Sequence, residues 1–237
     1  MPQTAIRSYV LRAGRITPAQ QRALSELWPR YGVTFSPEPL NLDALFGRTA
    51  PCTLEIGFGN GENLLARALD HPERDFLGIE VHRPGIGHLL LRAAAAGAAN
   101  LRVIEHDAVE VLQRQLPDGS LDEVQVLFPD PWPKKRHHKR RLLQPAVIEL
   151  LVGRLRVGGR LHIATDWQPY AEQMLADLNA CAALERSPLS RPPGGLSSAD
   201  TDPIAGPVSH ERSATRFEKR GERLGHRIHE FLFFRRA

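Results

Sequence analysis

The chain has 237 residues, 42% hydrophobic and 24% charged, a balance typical of one globular domain and unlike that of disordered, collagen-like or membrane-bundle proteins. Its two cysteines, Cys52 and Cys181, are too few for a disulfide framework or a zinc site, which sets the expectation of a reducing, cytoplasmic setting. The net charge of +4 comes from 31 basic and 27 acidic side chains. Six of the basic ones fall in the eight residues Lys134 to Arg141, leaving 25 basic against 27 acidic side chains elsewhere. The excess is therefore local, which is the footprint of a polyanion partner.

In chain order, residues 1–40 are arginine- and proline-bearing, with one helical stretch expected over Pro18 to Leu27. They read as a partly mobile N-terminal arm, and residues 41–237 as one domain. Arg7, Arg12 and Arg15 are followed by no apolar run of signal-peptide type. The uncharged stretch Ala93 to Leu101 falls short of the roughly 20 residues that cross a bilayer, so no membrane role is expected. From Cys52 onward, short apolar runs (Cys52–Ile56, Phe76–Val81, Leu101–Glu105, Val124–Phe128, Gly159–Ala164) alternate with helix-like stretches (Asn63–Leu69, Gly85–Ala98, Ala108–Gln115, Pro145–Leu155, Pro169–Ala182). That alternation predicts an α/β fold with a parallel sheet and helices on both faces. Residues 186–210 contain five prolines, five serines and three glycines and read as a loop. The tail through Ile228, Phe231, Leu232, Phe233 and Phe234 reads as a last strand returning to the sheet.

The first strand runs into Glu55-Ile56-Gly57-Phe58-Gly59-Asn60-Gly61. In an open α/β sheet, ligands bind beyond the carboxyl ends of the strands, and glycines let backbone approach them closely. A dinucleotide fingerprint needs a third glycine at position 62, where this chain has Glu62. A carboxylate there would repel a pyrophosphate. The Gly57, Gly59, Gly61 spacing after Glu55 suits S-adenosylmethionine, whose ammonium and sulfonium are cationic. Glu80 ends the second strand, where a carboxylate can accept from both ribose hydroxyls. Asp107 follows the third strand; it could accept from an adenine amino group or cap the next helix.

After the fourth strand comes Phe128-Pro129-Asp130-Pro131-Trp132-Pro133, then Lys134, Lys135, Arg136, His137, His138, Lys139, Arg140 and Arg141. Three prolines in five residues stiffen the loop and fix Asp130 and Trp132 beside the expected cofactor. An acid and an aromatic ring next to a cationic methyl donor point to methyl transfer onto a planar base, with the basic run holding phosphates. Trp132 could stack on that base or pack as core. His137 and His138 lack carboxylate or thiolate neighbours, so no metal site is expected.

The segments Leu54–Gly61, Gly78–His82, Leu127–Arg141, Ala164–Trp167 and Thr215–Glu218 resemble the bacterial tRNA (guanine-N7)-methyltransferase family, over roughly Ile6 to Phe234. The resemblance implies a class I (Rossmann-like) methyltransferase fold with a mostly parallel seven-stranded sheet, one strand antiparallel. It implies S-adenosylmethionine as cofactor, tRNA as partner, and methylation of guanosine at position 46 of the variable loop. Carried over by motif, Glu55, Gly57, Gly59, Gly61, Glu80, Asp107 and Asp130 contact the cofactor, with Asp130 also catalytic. Lys134, Asp166, Thr215, Arg216, Phe217 and Glu218 fall on substrate-binding positions, and Lys135 to Arg141 on the RNA-binding run. No obligatory protein partner is expected; a monomer or a homodimer fits. The competing reading is a methyltransferase acting on an exocyclic base amine, because Pro-Asp-Pro-Trp resembles the Asp/Asn-Pro-Pro-aromatic motif of those enzymes.

Overall fold

The structure is a computed structural model, and it describes residues 8–9, 14–190 and 227–237. The helix α1 (Pro18–Glu26) begins where the sequence dictates. Thr17 accepts from Gln20 N, the Gln20 side chain answers to Thr17 N, and Pro18 fills the first turn, where its missing N–H costs nothing. After α2 (Trp28–Tyr31), β1 (Gly32–Val33) and α3 (Leu42–Phe46), the alternation begins: β2 (Cys52–Ile56), α4 (Glu62–Asp70), β3 (Asp75–Glu80), α5 (Arg83–Ala96), β4 (Leu101–Glu105), α6 (Ala108–Arg114) and β5 (Leu121–Leu127). A 3-10 turn over Lys135–Arg140 follows, then α7 (Pro145–Arg154), β6 (Leu155–Thr165), α8 (Gln168–Ala180), β7 (Leu184–Arg186) and β8 (His229–Arg235).

The sheet order is β1-β4-β3-β2-β5-β6-β8-β7. Every neighbouring pair from β1 to β6 is parallel, and β8 runs antiparallel between β6 and β7. The order reverses between β2 and β5, so the loops after those two strands open onto a common crevice. Eight strands stand where seven were expected; the addition is two-residue β1, paired with β4 at Val103 and Ile104. The strand β6 also starts earlier than expected, at Leu155: Gly158, with φ of 75°, is absorbed as an irregularity within the strand rather than ending it.

Packing follows the strand alternation. Leu54 and Ile56 of β2, Leu77 and Ile79 of β3, Val124 and Val126 of β5, and Ile163 and Phe231 beyond them share a core with Val111, Leu151, Tyr170 and Met174 of α6, α7 and α8. On the opposite face, Phe76 and Val103 pack with Leu64 of α4, Leu89 and Leu90 of α5 and Leu24 of α1. Of residues 1–40, the described elements α1 and α2 pack into this core. Ala23, Leu24 and Tyr31 are buried, and the α1 backbone at Gln20 passes so close to Gly87 of α5 that a Cβ there would lie 2.9 Å from the Gln20 carbonyl oxygen.

Candidate active site

The turn after β2 is built on three left-handed residues, Gly57 (φ 73°), Gly59 (59°) and Gly61 (74°). A side chain in that conformation costs about 1–2 kcal/mol, and glycine avoids it. A Cβ on Gly57 or Gly59 would meet nothing within 4 Å, so open space lies over this part of the loop, whereas one on Gly61 would lie 2.7 Å from Leu89. Glu80, at the end of β3, ties the loop down. One carboxylate oxygen accepts from Gly59 N (2.8 Å), and the other from Val81 N (2.7 Å) and His82 N (3.0 Å).

Glu55 is buried beside the loop and accepts from Asn63 Nδ2 of α4 at 2.8 Å. Asp107 caps α6, and both cap bonds use the same oxygen, Oδ1, leaving the capping and ligand roles compatible. Glu55, Glu80 and Asp107 thus stand at or just past the carboxyl ends of three adjacent strands, β2, β3 and β4. An anionic rim around free space above a glycine turn fits a ligand bearing positive charge and ribose hydroxyls.

Across the switch point, the turn after β5 is made differently. Phe128 (φ 53°) and Trp132 (45°) take up left-handed backbone without being glycine, a strain of the kind that concentrates at functional sites. Between them, Asp130 is exposed. Phe128 N donates to Ala164 O of β6 (2.8 Å). Trp132 is half-buried: its indole Nε1 donates to Ser8 O (3.1 Å), Arg140 lies over its ring at 5.1 Å, and His137 meets it edge-on. Its ring is therefore packed by the protein's own residues, which favours the packing reading over base stacking.

The basic run divides in two. Lys134, Lys135, Arg136 and Lys139 are exposed, and His137, His138 and Arg140 are half-buried. The expectation that the whole run faces RNA fails at Arg141, which is 3% exposed. Its guanidinium donates to Pro131 O (2.9 Å), Gln173 Oε1 of α8 (2.7 Å) and His138 Nε2 (3.2 Å), and lies over the Tyr170 ring. Because arginine only donates, His138 Nε2 must be an acceptor here. Arg141 is the strut that fastens the proline loop to α8. The cations Arg136, Arg140, Lys134 and Lys139 add to desolvation in pulling the His137 pKa below its ordinary value.

Asp166 follows β6 on the same rim. The cap position of α8 belongs to Trp167, with no side-chain cap bond, so Asp166 is not the helix cap. Thr215, Arg216, Phe217 and Glu218, and the loop beyond residue 190, lie outside the described residues.

Sequence reasoning missed the polar layer beneath the glycine loop. Glu123 and Gln125 of β5 are buried on the α4 side with Asn63 and Arg67, and half-buried Arg160 closes the group. The signal was present as two polar residues at alternate positions of a central strand, where a doubly covered strand is otherwise apolar.

A switch-point crevice, a glycine turn under open space and an anionic rim on three strand ends define a class I S-adenosylmethionine-dependent methyltransferase, and S-adenosylmethionine is its cofactor. A family model described as "Putative methyltransferase" matches residues 49–231. The tRNA (guanine-N(7)-)-methyltransferase of Nitrosococcus oceani is 54% identical, covering 97% of this chain and 91% of its own. The enzyme of the same name from Xanthomonas campestris pv. campestris is 52% identical, covering 98% and 84%. The chain belongs to the tRNA (guanine-N7)-methyltransferase family. Among solved structures, the 16S rRNA methyltransferase KamB aligns over 96% of this chain and 97% of its own with a TM-score of 0.53 at 14% identity, a likeness of fold. The antibiotic-resistance methyltransferase Kmr aligns over 86% and 95% with the same TM-score at 18% identity. No helix among the described residues is long and apolar enough to cross a membrane, and no metal-binding cluster is found among them.

Proposed function

We propose that this protein methylates N7 of a guanosine in tRNA, at position 46 of the variable loop, in the bacterial cytoplasm. The observation that carries the reading is Asp130: an exposed carboxylate on the proline-stiffened loop after β5, the strand next to β2 and its glycine turn, and directly before a run of exposed cations.

In this reading Glu55, Glu80 and Asp107 hold the cofactor over Gly57, Gly59 and Gly61, and Asp130 reaches it from the opposite loop. Bound there, S-adenosylmethionine supplies an electrophilic methyl group on a positively charged sulfur. Guanine N7 presents an in-plane lone pair and carries no proton, so the protein need not supply a general base. Its task is to align N7 with the methyl group and to manage charge. With the methyl group supplied by the bound donor, N7 would take it through this lone pair and the purine would be left with the positive charge. Asp130 stabilises that charge or accepts from the guanine N–H edge. Lys134, Asp166 and the segment Thr215–Glu218 fix the nucleotide, and carboxylates suit guanine N1–H and N2–H. Lys135, Arg136, His137, Lys139 and Arg140 hold the surrounding phosphates, with His138 partly engaged by Arg141.

The deciding experiment incubates the protein with labelled methyl donor and unmodified tRNA, followed by digestion and nucleoside identification. The expected product is 7-methylguanosine, lost when position 46 is changed to adenosine. A label found in an exocyclic-amine nucleoside would overturn the reading in favour of amine methylation.

A further inference from the structure

The layer beneath the glycine turn has a direction. Glu123 is 1% exposed, and its carboxylate accepts four hydrogen bonds: from Arg67 Nη1 (2.9 Å) and Gln125 Nε2 (2.6 Å) on one oxygen, and from Arg67 Nη2 (3.0 Å) and Arg160 Nη2 (2.8 Å) on the other. Burial by itself would raise its pKa, but the two arginines overcome that and pull it down to about 2. Glu123 is therefore a fixed anion that can only accept.

The consequence passes along the chain of side chains. Gln125 must turn its NH2 toward Glu123, which leaves its Oε1 facing Asn63. Asn63 must then turn its own NH2 toward Gln125, at 3.0 Å, and the second N–H of that group reaches Glu55 Oε2 at 2.8 Å. The opposite orientation of Asn63 would set its Oδ1 against two acceptors at once. In the observed orientation Oδ1 is buried without a partner. Leaving a buried oxygen unsatisfied has a cost, so the donor side, fixed by the relay, decides how Asn63 lies.

We propose that Glu123, Gln125 and Asn63 form a polarity relay that holds Glu55 as an acceptor for the ammonium group of the methyl donor, which makes Asn63 and Gln125 positioning residues for cofactor binding. The inference rests on the assignment of Glu55 to the cofactor. Gln125 occupies the β5 position that pairs in register with Glu55 of β2, so the relay spans the strand pair that borders the crevice.

The test compares two ligands by calorimetry. S-adenosylhomocysteine carries the ammonium group; 5′-methylthioadenosine has the same adenosine and thioether but no amino-acid portion. Gln125→Met keeps the side-chain length and removes the relay. It is expected to weaken S-adenosylhomocysteine by up to about tenfold, as Asn63 loses the acceptor that aligns its bond to Glu55, and to leave methylthioadenosine unchanged. Asn63→Ser, too short to span Gln125 and Glu55, is expected to do the same. Because the ratio of the two affinities is read on folded protein, a loss of stability alone does not mimic it. The double variant with Glu55→Gln is expected to lose no more than Glu55→Gln alone, since Gln125 acts through Glu55. Equal weakening of both ligands, or unchanged binding of S-adenosylhomocysteine in Gln125→Met while Glu55→Gln weakens it, overturns the relay and leaves Glu55 at the cofactor. Unchanged binding in Glu55→Gln overturns the assignment of Glu55 itself, and the relay with it.

Discussion

The two turns that flank the switch point solve one problem with opposite materials. Both need left-handed backbone at the end of a central strand. The turn after β2 uses Gly57, Gly59 and Gly61 and is tied down by Glu80, with open space above Gly57 and Gly59. The turn after β5 uses Phe128 and Trp132 at φ of 53° and 45°, splinted by prolines and by Arg141. Strained residues persist only where their surroundings over-determine them, at roughly 1–3 kcal/mol each. The first turn is therefore shaped to leave room for a ligand, and the second to hold a chosen side chain, Asp130, in a fixed place.

The largest expected effect separates holding from binding. Asp130→Ala removes an exposed side chain, so thermal stability should change little. If Asp130 stabilises charge in the transition state, single-turnover methyl transfer should fall on the order of 10²–10³-fold, with tRNA binding retained. Full turnover in this variant would remove Asp130 from the chemistry.

Next is the splint. Arg141→Ala takes away three hydrogen-bonded contacts and a stacked guanidinium from a buried site. A stability loss of about 2–4 kcal/mol is expected by denaturant unfolding. Arg141→Lys should recover little of it, because a single ammonium cannot reach Pro131, Gln173 and His138 together. Turnover should fall as the loop that carries Asp130 loosens. Loss of tRNA affinity with stability intact would instead place Arg141 at the RNA surface.

On the glycine side the effects are smaller and should split by position. Gly59→Ala carries only the backbone cost of about 1–2 kcal/mol, and its methyl group enters the open space, so cofactor affinity should fall more than stability. Gly61→Ala adds overlap with Leu89 at 2.7 Å and should lose more stability than Gly59→Ala. Equal stability losses would mean that the turn can relax away from α5.

The contrast also explains what was legible from the residues alone. Buried strands announce themselves by apolar runs, and the glycines, prolines and acids of both turns are visible as such. Two-residue β1, five-residue α3 and three-residue β7 are too short to carry a period. Arg141 was indistinguishable from its neighbours because only the 3-10 turn decides which member of a basic run points inward. The relay was hidden for another reason. Glu123 and Gln125 break an apolar strand, but the direction of their hydrogen bonds depends on Arg67, Arg160 and Asn63, which are far off in sequence.

The smallest effect lies on the exposed part of the run. The His137 pKa is lowered by desolvation and by Arg136, Arg140, Lys134 and Lys139, so the free protein favours the neutral ring near neutral pH. A phosphate placed among those cations offsets their repulsion and raises the His137 pKa, so RNA binding takes up a proton. By linkage, tRNA affinity should then rise as pH falls from the pKa of the RNA-bound ring toward the lower one of the free ring, and level off below the latter. The gain is modest, since one titrating charge joins the five permanent ones of Lys134, Lys135, Arg136, Lys139 and Arg140. His137→Gln should flatten this slope without changing the dependence on salt, which the lysines and arginines set. Identical pH slopes in the two proteins would show that His137 does not meet phosphate, and its ring would then serve only as the edge-on partner of Trp132.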